Sequence, residues 1–196
     1  SYLWEKRYLR ESIYNDANYF DMFSRHLAGI YRLFYGNYLA SKGDKEKAVL
    51  EYNSASKIGY DDYWIKNSLC ISFEEIGMSR EAIENGEEAI KLNPKSEESY
   101  NNLAISYSHI GKTEEAMEYY SKAASINPLF VSAYYNSGIY YYKKGNYDKG
   151  IELSLAVIKI SPNYYNAYIL LGNAYQKKGD MDKAIECYKK SIEIMP

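Results

Sequence analysis

Between residues 97 and 126 the apolar positions fall into two runs at helical spacing. Tyr100, Leu103, Ala104 and Tyr107 recur at intervals of three and four, and Ala116, Tyr119, Tyr120, Ala123 and Ile126 do so again. Gly111 separates the runs and Asn127-Pro128 closes the second. The pattern predicts two amphipathic helices folded into a hairpin, with Thr113 expected to cap the second by accepting an orphan backbone N–H. A lone hairpin cannot bury both of its apolar faces, so it requires neighbours of its own kind.

The chain supplies them at a period of 34 residues. Glycine falls at Gly43, Gly77, Gly111, Gly145 and Gly179, always between two helical patterns. A small residue recurs within the first helix at Gly36, Cys70, Ala104, Gly138 and Gly172, and within the second at Ala48, Ala82, Ala116, Gly150 and Ala184. Small side chains there let two helix backbones approach closely. A large residue returns at Leu39, Phe73, Tyr107, Tyr141 and Tyr175 to fill the space between the helices. Proline ends four units, at Pro94, Pro128, Pro162 and Pro196, because it cannot continue a helix.

On these residues the chain resembles the tetratricopeptide repeat family. Tyr100, Leu103, Ala104, Tyr107, Ala116, Tyr120, Ala123 and Pro128 match its signature, as do Tyr168, Leu171, Gly172, Tyr175, Ala184, Tyr188, Ser191 and Pro196. The resemblance implies an all-α fold, a right-handed superhelical solenoid of antiparallel helix pairs. It divides residues 29–196 into repeats at 29–62, 63–96, 97–130, 131–164 and 165–196. Departures fall at Arg32, Lys66 and Gly86, where bulky residues are usual, at Tyr60 in place of the closing proline, and at Ser137, Gly150 and Ser154 in the fourth repeat. Residues 1–28 do not match. Tyr2, Leu3, Trp4, Tyr8, Leu9 and Ile13 suggest a short helix, Asn15-Asp16 a break, and one long helix is expected over about 17–42. This segment reads as a helical cap for the open end of the array, or as a junction with a preceding domain.

Composition narrows the function. Apolar residues make up 46% of the 196 and charged residues 26%, which places the chain among globular proteins. A net charge of -2 offers no general attraction to nucleic acid, and no apolar run is long enough for direct membrane insertion by this segment. The chain opens on Ser1 without a methionine, which fits a piece of a longer protein, so the missing leader excludes little. The compartment stays open, with the cytoplasm as the default expectation. Tyrosine is abundant, at 25 residues, either as an aromatic binding surface or simply because it suits helix packing.

Catalytic constellations are missing. His26 and His109 stand apart from any nucleophile, and Cys70 and Cys187 lie far apart with no CxxC, so neither a zinc site nor a disulfide framework is expected. Adjacent acids such as Glu74-Glu75, Glu87-Glu88, Glu97-Glu98 and Glu114-Glu115 diverge on a helix and read as solvated faces. No enzyme activity, metal or cofactor is expected of this segment.

The resemblance instead implies a non-catalytic interaction scaffold whose first helices line a concave groove for a peptide or protein segment. The groove offsets hold Asn37, Asn67, Asn101, Asn102, Tyr135, Asn136, Tyr142 and Asn173. A carboxamide offers both donor and acceptor to a peptide backbone. Family members that clamp acidic chaperone C-termini use lysine and arginine at particular offsets. Here those places hold Leu33 or Asn67, then Glu98, Asn102, Ser132 and Asn136, which disfavours that role. Repeats two and three carry 6 basic and 11 acidic side chains, a net of -5, whereas repeats four and five carry 9 and 6, a net of +3. Two other readings remain open. The array stops after its fifth repeat, where a face with Leu170, Tyr188 and Ile192 is expected to be partly exposed and to support a homo-oligomer. Alternatively, the segment is the soluble tail of a larger, membrane-anchored enzyme or assembly.

Overall fold

The computed structural model describes residues 22–195. Ten helices make up its regular structure: α1 (Met22–Ser41), α2 (Lys45–Ile58), α3 (Tyr63–Glu75), α4 (Ser79–Leu92), α5 (Glu97–His109), α6 (Thr113–Ile126), α7 (Val131–Lys143), α8 (Tyr147–Ile160), α9 (Tyr165–Lys178) and α10 (Met181–Ile194). No strand occurs among the described residues. The expected all-α class of antiparallel helix pairs is the one observed. The short helix and break expected over residues 2–16 lie outside the described residues, as does the start of the long helix.

The chain forms two compact units, the first running to Pro94 and the second from Lys95. In unit 1, α1 pairs with α2 and α3 with α4, while α3 also touches α1 and α2. Unit 2 holds three pairs, α5–α6, α7–α8 and α9–α10, with each later pair packed on the one before it.

Every pair turns in the same way. Gly43, Gly77, Gly111, Gly145 and Gly179 all adopt φ between 78° and 86°, where a Cβ would be strained. The next residue then donates to the carbonyl five positions back, as in Asp44 N to Leu39 O at 3.0 Å and Asp180 N to Tyr175 O at 3.0 Å. This satisfies a carbonyl that the helix end leaves orphaned. That next residue, not the one after it, is the N-cap of the second helix. Asp44, Asn146 and Asp180 each accept a backbone N–H there. Thr113 therefore does not cap α6. It is the first helical residue, and Lys112 holds the cap position without a side-chain bond.

The small positions are buried as close approach requires. Ala48, Ala82, Ala184 and Ala104 have no exposed surface. A Cβ on Gly36 would come within 2.5 Å of the Tyr52 ring, and one on Gly172 within 2.7 Å of the Tyr188 ring. Tyr52 itself meets Phe73 edge-on at 5.1 Å in the core of unit 1.

Two of the departures prove to be ion pairs. Arg32 Nη1 lies 2.8 Å from Glu51 Oε2, with the side chains only 13% and 6% exposed. Lys66 Nζ lies 2.5 Å from Glu88 Oε2 and donates to Ser56 Oγ, which in turn donates to Asn85 Oδ1. Other acids read as solvated are also engaged. Glu74 accepts from Ser79 Oγ at 3.0 Å, and Glu97 from Asn127 Nδ2 at 2.8 Å.

Candidate functional site

In unit 2 the first helices of the pairs stand side by side, α5 touching α7 and α7 touching α9. Their burial pattern separates a packed face from an open one. On α9, Ala167, Leu170, Leu171, Gly172 and Ala174 are buried, which leaves Asn166, Ile169, Asn173, Gln176 and Lys177 on the other side. The same register on α7 presents Ser132, Tyr135, Ile139, Tyr142 and Lys143, and on α5 Glu98, Ile105, Ser108 and His109, with Asn101 buried at the remaining position. The result is a wall with aliphatic and aromatic groups along its middle and polar groups at both edges. Tyr135 meets Tyr164 edge-on at 5.2 Å, and Tyr142 lies 5.7 Å from Tyr147. Burial pushes the phenols of Tyr135 and Tyr164 above their ordinary range, so both remain hydrogen-bond donors through neutral pH.

The asparagine row behaves differently from a free ladder of carboxamides. Asn37 Oδ1 accepts from Tyr52 Oη and Ser72 Oγ, each at 2.8 Å. Asn173 Oδ1 accepts from Tyr188 Oη at 2.7 Å. Asn101 is 6% exposed, and its Oδ1 accepts from Asn136 Nδ2 at 3.0 Å, tying α5 to α7. Asn67 and Asn102 are half-buried and also have partners in the protein. Of the expected groove residues, Tyr135, Asn136, Tyr142 and Asn173 come together on α7 and α9 with Asn101 beside them. Asn37 and Asn67 belong to unit 1.

The sequence carried an unused signal for these bonds. Asn37 and Asn173 stand 15 residues before Tyr52 and Tyr188, whereas the same position holds Ile71, Ile105 and Ile139 in the other repeats. Only where both asparagine and tyrosine are present does the bond form. In the third repeat Tyr120 faces no such asparagine, and burial alone pushes its phenol upward.

His109 is exposed in the last turn of α5, and His26 is paired. His26 does not stand alone: its Nδ1 pairs with Asp62 Oδ2, and Asp62 caps α3 by accepting from Trp64 N and Ile65 N. The partners are 36 residues apart in sequence, beyond any local pattern. His109 is likewise partnered. Among the described residues no group of three or more His, Cys, Asp or Glu could hold a metal ion, and no helix is long and apolar enough to cross a membrane. Cys70 and Cys187 are both free thiols.

Comparison with known proteins agrees with this geometry. Models of the tetratricopeptide repeat match residues 97–130, 131–164 and 165–196 in succession. The chain belongs to the tetratricopeptide repeat family. Among solved structures, MamA is 30% identical and superposes with a TM-score of 0.68 over 81% of this chain and 93% of that one. BtubC from P. vanneervenii is 22% identical with a TM-score of 0.77, covering 89% and 82%. YrrB, described as a TPR protein with an unusual peptide-binding site, is 21% identical with a TM-score of 0.60, covering 86% and 87%. The last two likenesses concern the fold alone. No curated protein sequence matches the chain. As a tetratricopeptide repeat protein the chain is a protein-interaction scaffold, of a family whose members typically have no catalytic role.

Proposed function

We propose that the wall formed by α5, α7 and α9 is a binding surface for an extended peptide or protein segment. The observation that carries this reading is the exposed middle of the wall, where Tyr135, Ile139, Tyr142 and Ile169 stay half-exposed or exposed although the opposite faces of the same helices are fully packed. Apolar and aromatic groups left open between polar edges are the usual makeup of a contact surface. The carboxamides of Asn101, Asn136 and Asn173 act first as struts that hold the wall in shape, and a bound backbone would share their remaining hydrogen-bonding capacity. YrrB, with its peptide-binding site, has the same fold.

The test is selection of random displayed peptides on the protein, followed by affinity measurement with Tyr142→Ala/Ile169→Ala. Selected peptides should lose about tenfold or more in affinity, since each removed contact is worth on the order of 1 kcal/mol. The melting temperature should hardly change, because neither side chain is part of the packed core. Peptides that bind this variant as tightly as the parent would sink the assignment.

A further inference from the structure

We infer that the peptide accepted by this wall is acidic, with carboxylates about three residues apart flanking apolar side chains; the inference rests on the peptide-binding reading above. The argument begins with charge. Neither α7 nor α9 contains an aspartate or glutamate, and each ends in lysine. Lys143 and Lys177 occupy the same register, 34 residues apart, on adjacent helices, and both are exposed. Most other lysines of this unit's helices or turns are neutralised or covered. Lys149 meets Glu152, Lys178 meets Asp148, Lys183 meets Asp180, Lys190 meets Glu193, and Lys144 sits over the Tyr140 ring. Lys143 and Lys177 meet no carboxylate among the described residues.

Lysines at helix C-termini also complement the helix dipole, and that alone would explain their presence. It does not explain why they follow Ile139, Tyr142 and Asn173 on the exposed side while most acids of the unit sit on the second helices or at the start of α5, where Glu98 accepts from Ser96 Oγ. The first helices of the wall are thus basic at the ends of α7 and α9, apolar in the middle, and acidic at Glu98 on α5, while Asp148 of α8 meets Lys178 beside Lys177. Packed helices lie about 8–10 Å apart, close to the ~10 Å spanned by three residues of extended chain. One carboxylate per lysine therefore corresponds to acidic residues at i and i+3, with the intervening apolar groups over the tyrosines and isoleucines.

Three fluorescein-labelled peptides test this: one with glutamate at every third position and leucine and serine between, its glutamine isostere, and its lysine counterpart. Fluorescence anisotropy should show the glutamate peptide binding about fivefold to tenfold more tightly than the isostere at low salt. That advantage should shrink as salt is raised. Lys143→Gln/Lys177→Gln should abolish the discrimination while leaving affinity for the isostere unchanged. The control is Lys122→Gln/Lys159→Gln, which removes the same charge from the second helices α6 and α8 and should retain the discrimination. Equal binding of the glutamate and glutamine peptides would overturn the acidic class but leave the peptide-binding surface standing. Equal loss in the control variant would overturn the assignment to this rim. Failure of all three peptides to bind at millimolar concentration would overturn both.

Discussion

Units 1 and 2 solve the same packing position in opposite ways. At the position where unit 2 has Tyr100, Tyr134 and Tyr168, unit 1 has Arg32 and Lys66. Tyr100 lies 6.2 Å from Tyr119, and Tyr168 donates its hydroxyl to Pro162 O. Arg32 instead reaches Glu51, which occupies the register of Tyr119 two repeats earlier. The aromatic solution buries apolar area and tolerates small changes. The ionic solution removes two charges from water, and their attraction does little more than offset that cost. Unit 1 should therefore be the more brittle of the two at this position, and no more stable for having a buried ion pair.

The largest effect expected is from breaking that pair. Arg32→Ala takes an ion-pair partner from the buried Glu51 carboxylate, which should cost up to about 3–5 kcal/mol. Replacing both partners, Arg32→Leu/Glu51→Leu, should restore or exceed the parent stability. Tyr100→Phe in unit 2 should stay within about 0.5 kcal/mol. Hydrogen exchange resolved to α1–α2 and α5–α6 reads both units in one experiment, and equal responses of the two single variants would break the comparison.

Next come the glycines that both units share. Gly36→Ala and Gly172→Ala drive a methyl group into the Tyr52 and Tyr188 rings, and each should cost about 1–3 kcal/mol. Gly150→Ala is the opposite case. Its nearest neighbour would be 3.6 Å away, so the substitution should stabilise α8 by about 0.5–1 kcal/mol. Urea denaturation of the three variants checks the order, and a stabilising Gly36→Ala would refute the packing argument.

The asparagine struts are expected to differ between units. Asn37→Ala strands two buried hydroxyls, on Tyr52 and Ser72, for about 1–3 kcal/mol. Asn173→Ala should cost on the order of 0.5 kcal/mol, because Tyr188 Oη also reaches Gln176 at 3.3 Å. Thermal melts of both variants would remove the distinction if Asn173→Ala proved the more damaging.

The smallest effect is shared by the exposed caps. Hydrogen bonds from the Lys47 and Lys183 side chains, followed by the backbone N–H groups of the same residues, hold the Asp44 and Asp180 carboxyls below the usual range. A depressed carboxyl contributes stability above its unfolded value of about 3.9 and loses that contribution as pH falls through the lower folded value. Asp44→Asn/Asp180→Asn should therefore flatten the acid limb of stability against pH by lowering stability slightly at neutral pH while leaving it nearly unchanged below the folded value. Because both groups are exposed, high salt should weaken the contribution. A steeper acid limb in the double variant would contradict the sign.

Much of the fold could be read from the residues because its determinants are local and repeated. The five glycines required a left-handed turn wherever they stood, and each adopts one. The cap of α6 was misread because Thr113 is a good capping residue one step past the cap position. Asp44, Asn146 and Asp180, each directly after its glycine, mark that position in three of the other four repeats. The face ending the fifth repeat was read only in part. Ile192 is exposed, but Leu170 is 5% exposed, because it points back to where a Cβ on Gly138 would be 3.1 Å away. The Asn37 and Asn173 bonds had a legible signal in the 15-residue spacing to Tyr52 and Tyr188, whereas the bond of Asn101 to Asn136 joins two separate helices and had none.

Periodicity, glycine spacing and small-residue positions by themselves determined the ten helices of the described residues, their pairing and their turns, since each rests on interactions within a few residues or within one repeated hairpin. Only the tertiary structure decided what the polar side chains do. Arg32 became half of a buried ion pair, Asn101 a bridge between α5 and α7, and His26 the partner of a helix cap, while Lys143 and Lys177 were left facing solvent. A long polar side chain has many accessible partners, and which one it meets depends on how separate helices are brought together.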